Sequence, residues 1–186
     1  HIQWIQKWPQ LGRLHYAVKA NFNLDVLKLI QSMNCGVDVV SLGEIKRSLA
    51  AGFSMHDIIF SGVAKSFEEL SWSIQNNIYQ INVESLSELK KIIQISIQQN
   101  KVVSIGLRIN PEVDAETHPS ISTALKDSKF GIDFDTAREA VKLLQNQNLV
   151  QLKAISFHLG SQILNTTGFE KALAVLKPFY HELRLQ

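Results

Sequence analysis

Lys19 closes the segment His15-Tyr16-Ala17-Val18-Lys19, and Asn21-Phe22-Asn23 breaks the apolar run directly after it. Residues Leu14 to Val18 have the composition of a short buried strand. A lysine at the C-terminal end of such a strand stands where parallel α/β folds collect their reactive groups. The flanking alanine, valine and tyrosine are expected to strip water from the amine, which disfavours its charged form and makes the nitrogen nucleophilic. Taken alone, a strand-end lysine more often simply reaches solvent.

Other strand ends change that balance. Asp38 precedes Val39-Val40-Ser41, Arg108 lies near the end of the apolar run Val102–Ile109, and His158 finishes Leu152–His158 just ahead of Gly160-Ser161-Gln162. Each has an ordinary reading: a turn cap, an ion-pair partner, a satisfied core histidine, a plain turn. In a parallel barrel these strand ends meet at one mouth. A lysine able to bond an aldehyde, a flat imidazole and a Gly-Ser turn suited to phosphate together describe a pyridoxal phosphate site. No Gly-x-Ser-x-Gly elbow, His-Glu-x-x-His zinc motif or Cys–His pair is present to support hydrolysis or metal chemistry.

The elements that must position these groups alternate in period. Strands are expected at Leu14–Val18, Val37–Val40, Ile58–Ser61, Ile78–Val83, Val102–Ile109 and Leu152–His158, and the Val, Ile and Leu density of the fifth suggests burial on both faces. Helices are expected between them and at about Phe169–Leu185, where Pro178 implies a kink or break. Residues 1–13 read as the tail of a further amphipathic helix stopped by Pro9. Ser41 is a possible helix N-cap, and Ser66/Glu69 and Ser85/Glu88 both have capping-box spacing. The stretch from Glu112 to Phe130 is long and polar, as functional loops are. Strict βα alternation calls for a parallel sheet. An open doubly wound sheet competes with a (β/α)8 TIM-type barrel, but no glycine-rich phosphate fingerprint follows the first strand. With about six βα units, where a closed barrel has about eight, the barrel reading makes residues 1–186 a single, incomplete domain.

Composition narrows the class further. The 186 residues are 45% hydrophobic and 19% charged with a formal net charge of +2, which argues for no nucleic-acid or membrane partner. No apolar run is long enough to span a bilayer. Cys35 is the single cysteine, set beside Gly36 and Val37, and reads as a buried thiol in a reducing, cytoplasmic compartment. The chain opens on His1-Ile2-Gln3 and reads as a piece of something longer.

Several stretches, taken in order, resemble the alanine-racemase-like (fold-type III) pyridoxal-phosphate-dependent decarboxylases. They are His-Tyr-Ala-Val-Lys-Ala-Asn (15–21), Gly-Val-Asp-Val-Val-Ser-Leu-Gly-Glu (36–44), Phe-Ser-Gly-Val-Ala-Lys-Ser (60–66) and Ile-Asn-Val-Glu-Ser (81–85). Arg-Ile-Asn-Pro-Glu-Val-Asp-Ala-Glu-Thr-His (108–118), Lys-Phe-Gly-Ile (129–132) and His-Leu-Gly-Ser-Gln-Ile (158–163) complete the set. The resemblance implies a (β/α)8 barrel with Lys19 as the lysine that carries the cofactor covalently and Ala17 packing beside it. It implies Asp38 as the acid near that lysine, Arg108 on the cofactor's phenolate side, His158 stacked on its ring and Ser161 on its phosphate. Lys129 is similar to a lysine at the dimer interface of this family.

The stretch after Arg108 is most similar to the branch acting on meso-2,6-diaminopimelate, so the expected activity is its decarboxylation to L-lysine. A same-fold decarboxylase of ornithine, arginine or a carboxylated polyamine is the alternative, as is a silent homologue that binds a partner. Two positions depart from the family pattern: Ser156 stands where a histidine is usual, and Ala124 where a glycine is usual. The family's glycine-rich phosphate loop, its carboxylate to the pyridine nitrogen and its C-terminal β-domain have no counterpart in these residues. The 186 residues alone are therefore expected to be inactive, and the full-length protein active.

Overall fold

A computed structural model describes residues 12–113, 130–161, 163 and 165–184. Most of the N-terminal segment expected to be helical, and the positions Ala124 and Lys129, lie outside the described residues. Six strands form one sheet: β1 (His15–Ala17), β2 (Gly36–Val39), β3 (Ile58–Phe60), β4 (Gln80–Val83), β5 (Val103–Arg108) and β6 (Val150–Ser156). Between and after them run α1 (Leu24–Ser32), α2 (Leu42–Ala50), α3 (Phe67–Gln75), α4 (Leu86–Gln99), α5 (Phe134–Leu144) and α6 (Thr167–Arg184). Every neighbouring pair of strands is parallel, and spatial order follows chain order from β1 to β6. A doubly wound sheet reverses its order at a switch point. None occurs here, so the sheet is six consecutive units of a barrel wall.

The two faces of the sheet divide by residue type. Val37, Val39, Ile58, Phe60, Ile81, Val83, Ile105 and Leu107 point to one side and are fully buried against Leu27, Ile45, Leu70, Leu89 and Ile92 of the helices. Each contributes about 1.5–3 kcal/mol relative to its exposed state. The alternate positions carry His15, Asp38, Gln80, Asn82, Gly106 and Arg108, so the inner face is polar or small apart from Ile59. β5 has no exposed residue, as expected of a strand buried on both faces, but its side chains alternate in type, with Ser104, Gly106 and Arg108 on the side opposite Val103, Ile105 and Leu107.

Helix starts explain the register of the loops. Ser66 Oγ accepts the Glu69 N–H (3.2 Å) and Glu69 returns to the Ser66 N–H (3.0 Å), the expected capping box. The second oxygen of Glu69 accepts the Leu42 N–H, tying α3 to α2. Desolvation would raise the Glu69 pKa, but these backbone donors hold it below the ordinary value. A Ser66→Ala substitution is expected to lower unfolding stability by about 1 kcal/mol at unchanged urea slope. A loss below a few tenths in urea titrations would show that this cap is dispensable.

At Ser85 the expectation holds only in half. Ser85 Oγ caps the Glu88 N–H, but the Glu88 carboxylate bypasses Ser85 and accepts from the Glu84 N–H at 2.7 Å. Glu44 does the same at α2, accepting from the Val40 N–H while its own amide is capped by Ser41. At the other end of the chain, α6 continues through Pro178 without a break. Cys35 is buried as expected, and desolvation raises its thiol pKa above the ordinary value, with Arg13 opposing.

Candidate cofactor site

A cleft of about 550 Å³ opens at the C-terminal ends of the strands. Its walls include Lys19, Asp38, Ser61, Asn82, Arg108, Phe130, Ser156, His158 and Ser161. Five side chains singled out in the sequence therefore converge. Ala17 pairs with Asp38 in the β1–β2 ladder and lies beside the cleft without lining it. Lys19 is not at a strand end: β1 stops at Ala17, and the lysine sits in the 3-10 turn Val18–Ala20, anchored by the fully buried Val18. Its side chain is exposed at the mouth, so the desolvation expected from its apolar neighbours is not found. His158 lies two residues past the end of β6 rather than within it.

Arg108 is the most constrained of the group. Its Nη1 donates to Glu84 Oε1 at 2.8 Å, and its guanidinium carbon lies 5.1 Å from the centre of the Phe130 ring. Phe130 reaches it because the chain returns to β5: Ile132 N–H donates to the Arg108 carbonyl, and Asn110 N–H to that of Ile132. Gly131 makes the return possible, with φ of +77° and room for no Cβ against the Arg108 carbonyl.

Glu84, which sequence reasoning did not single out, is buried and accepts a second hydrogen bond from the Gly62 N–H at 2.8 Å. Behind it Lys65 is buried with Glu88. Lys65 Nζ donates to Glu88 Oε1 (2.8 Å), to the Asn82 carbonyl (2.8 Å) and to the Gly62 carbonyl. The loops after β3 and β4 are thereby fastened to each other and to Arg108. A period-two polar pattern, Gln80, Asn82 and Glu84, was the available signal in the sequence.

The titratable groups have shifted values with identifiable causes. Burial raises the Asp38 pKa above the usual carboxylate range, opposed by the Ser61 hydrogen bond and by the charges of Lys19 and Arg108. His158 stays accessible from the cleft, yet partial desolvation lowers its pKa; Arg108 and then Lys19 push the same way, and Glu84 opposes. His15, deeper on the inner face, is also lowered by burial and by Arg13, against Asp57, and its Nδ1 is buried without a hydrogen-bond partner among the described residues.

Both histidines prefer the neutral state in the folded chain. The unfolded chain takes up protons first, so stability is expected to fall as pH drops below about 6.5. Urea midpoints compared at about pH 7.5 and about pH 5.5 should show the fall, and His15→Gln should flatten part of it. Equal midpoints at the two values would contradict this account.

The donor set fits a pyridoxal cofactor. An amine, a neutral imidazole, a guanidinium held by a carboxylate and a Gly160-Ser161 turn surround a cleft large enough for a substituted pyridine and its phosphate arm. Ser156 Oγ, in the same wall, is buried without a hydrogen-bond partner among the described residues.

Fold and site together define a barrel wall that binds pyridoxal. Residues 1–186 match the family described as pyridoxal-dependent decarboxylase, pyridoxal binding domain, and the chain belongs to that family. The diaminopimelate decarboxylase of Campylobacter jejuni is 40% identical over 173 residues, which cover 93% of this chain and 43% of that protein. A crystal structure of diaminopimelate decarboxylase from Helicobacter pylori, a mutant complexed with L-lysine, superposes with a TM-score of 0.93 at 37% identity, covering 99% of this chain and 48% of that one. The M. jannaschii enzyme, also in complex with L-lysine, gives 0.87 at 33% identity over 98% of this chain and 44% of that one. The chain thus spans less than half the length of the relatives it matches. Among the described residues, no helix is long and apolar enough to cross a membrane.

Proposed function

We propose that the full-length protein decarboxylates meso-2,6-diaminopimelate to L-lysine with pyridoxal phosphate, as a cytoplasmic homodimer with Lys129 at its interface. The observation that carries this reading is the convergence of Lys19, Asp38, Arg108, His158 and Ser161 on one cleft, in a chain about 40% identical to diaminopimelate decarboxylases. Pyridoxal phosphate bound there supplies an electron-withdrawing ring that accepts the electron pair left when the substrate carboxyl departs.

The chain's own residues divide the remaining work. Lys19 Nζ would hold the cofactor covalently, and as a free ammonium it would supply a proton to the substrate α-carbon. His158 would offer a neutral, flat imidazole to the cofactor ring, and the Ser161 hydroxyl would donate to its phosphate. Arg108, held by Glu84, would face the cofactor's phenolate side. The Asp38 carboxylate balances the positive charge at Lys19.

The test is to incubate the full-length protein with pyridoxal phosphate and assay product from diaminopimelate, lysine, ornithine, arginine and carboxyspermidine. L-lysine from the meso isomer is expected. Putrescine or agmatine as the main product would move the assignment to the polyamine-forming branch, and no product at all would favour a silent homologue. The isolated 186 residues should form no lysine, and substantial formation by them would contradict the proposed division between this chain and the rest of the enzyme. Sedimentation of the full-length protein should give a dimer that Lys129→Glu weakens.

A further inference from the structure

Four side chains, three on β2 and β4 and one from the residue just after β3, form a directed chain of hydrogen bonds. Gln80 Nε2 donates to Asn82 Oδ1 at 2.8 Å, Asn82 Nδ2 donates to Ser61 Oγ at 3.0 Å, and Ser61 Oγ donates to Asp38 Oδ1 at 2.5 Å. The polarity follows from the valences. The Asn82 carbonyl oxygen is taken by Gln80, so its amide turns to Ser61; with that N–H on its oxygen, the hydroxyl directs its proton to Asp38. Bonds aligned head to tail polarise and strengthen one another. Space for the two amides is provided by Gly106 on β5, where a Cβ would come within 2.7 Å of Asn82 Oδ1 and 2.8 Å of Gln80 Nε2. Ser61 and Asn82 also line the cleft.

We propose that Ser61, oriented by Asn82, is a positioning residue that fixes the Asp38 carboxylate in the cleft it shares with Lys19. This rests on the function proposed above. Asp38 faces Lys19 from the turn after β1, Arg108 from β5 and Glu44 from α2. His158 and His15 line the same cleft, and Glu84 stands behind Arg108. Burial works against an ionised Asp38, and the Ser61 hydroxyl is the hydrogen bond on the opposite side of that balance. Ser61 Oγ joins Asp38 on one side and Asn82 on the other, so its removal takes the hydrogen bond from Asp38 and the acceptor from the Asn82 amide.

Ser61→Ala removes the last donor, and the carboxyl then holds its proton to higher pH. In the full-length, pyridoxal-loaded protein the acid limb of kcat/KM is expected to move up by about one pH unit, a roughly tenfold loss on that limb. Without substrate, a pH titration of the absorbance of the lysine-bound cofactor should shift its midpoint, because the charge next to Lys19 changes. Ser61→Thr, which keeps the hydroxyl, should restore both. Should Ser61→Ala not fold, Asn82→Ala should shift both readouts in the same direction by a smaller amount. Unchanged profiles in a folded Ser61→Ala protein, or a Ser61→Thr protein that behaves like Ser61→Ala, would overturn the proposal. A wild-type protein that loads pyridoxal but makes no lysine sinks the function proposed above and leaves the absorbance titration as the test of Ser61.

Discussion

With Lys19 replaced by alanine, the full-length protein is expected to lose covalent retention of pyridoxal and to turn over about 10³-fold more slowly or worse. The change removes two roles at one atom: the bond to the aldehyde and the proton returned to the substrate α-carbon. It should leave the fold alone. Lys19 is exposed in its 3-10 turn, and the turn is anchored by the buried Val18, which the substitution does not touch. Borohydride reduction of the loaded protein followed by peptide mass mapping checks the first role directly. The added mass should sit on the peptide containing Lys19 in the wild type and be absent from the variant, with the melting curve of the apo protein unchanged. Label retained in Lys19→Ala, or turnover within tenfold of wild type, would show that another amine holds the cofactor.

The second large effect lies behind the cleft. Lys65→Met is expected to lower unfolding stability by about 3–5 kcal/mol, because it leaves the Glu88 carboxylate buried without its cation. It also leaves the Gly62 and Asn82 carbonyls without their side-chain donor. The loops they belong to carry the Gly62 N–H that holds Glu84 and the strand that precedes it, so cofactor affinity should weaken as well. The double variant Lys65→Met/Glu88→Leu should recover part of the stability, since an apolar pair of similar volume replaces the stranded charge. Urea titration of the wild type, the single variant and the double variant decides it. A double variant less stable than Lys65→Met would mean that Glu88 contributes through the hydrogen bond it accepts from the Glu84 N–H more than through its pairing with Lys65.

Much of this was legible from residue order. The six strands, their parallel order and the convergence of Lys19, Asp38, Arg108 and His158 follow from period and from the rule that strand ends share a face. What was not legible was the second layer. Lys65 reads as a loop lysine and Glu88 as an ordinary capping glutamate; only the close approach of the β3 and β4 loops turns them into a buried pair. Likewise the bend that brings Phe130 onto Arg108 depends on Gly131 returning to β5 across a long separation in sequence. The error at Lys19 has a simple cause. Its alanine and valine neighbours are apolar by type, but a 3-10 turn rotates the lysine away from the buried side on which Val18 sits.

The sequential strand order also bears on how the chain folds. Val37 pairs with Ile58, and Tyr16 with Val37, so each of the first contacts spans only about twenty residues and can form as soon as the next strand has been synthesised. The exception is β6, whose Val150 must find Val103 across more than forty intervening residues that include α5. Closing a loop of roughly twice the length costs about 0.6 kcal/mol more in chain entropy. Arg108 is ready on β5 before His158 can join it, so the last of these units to dock is the one that completes this wall of the cofactor cleft.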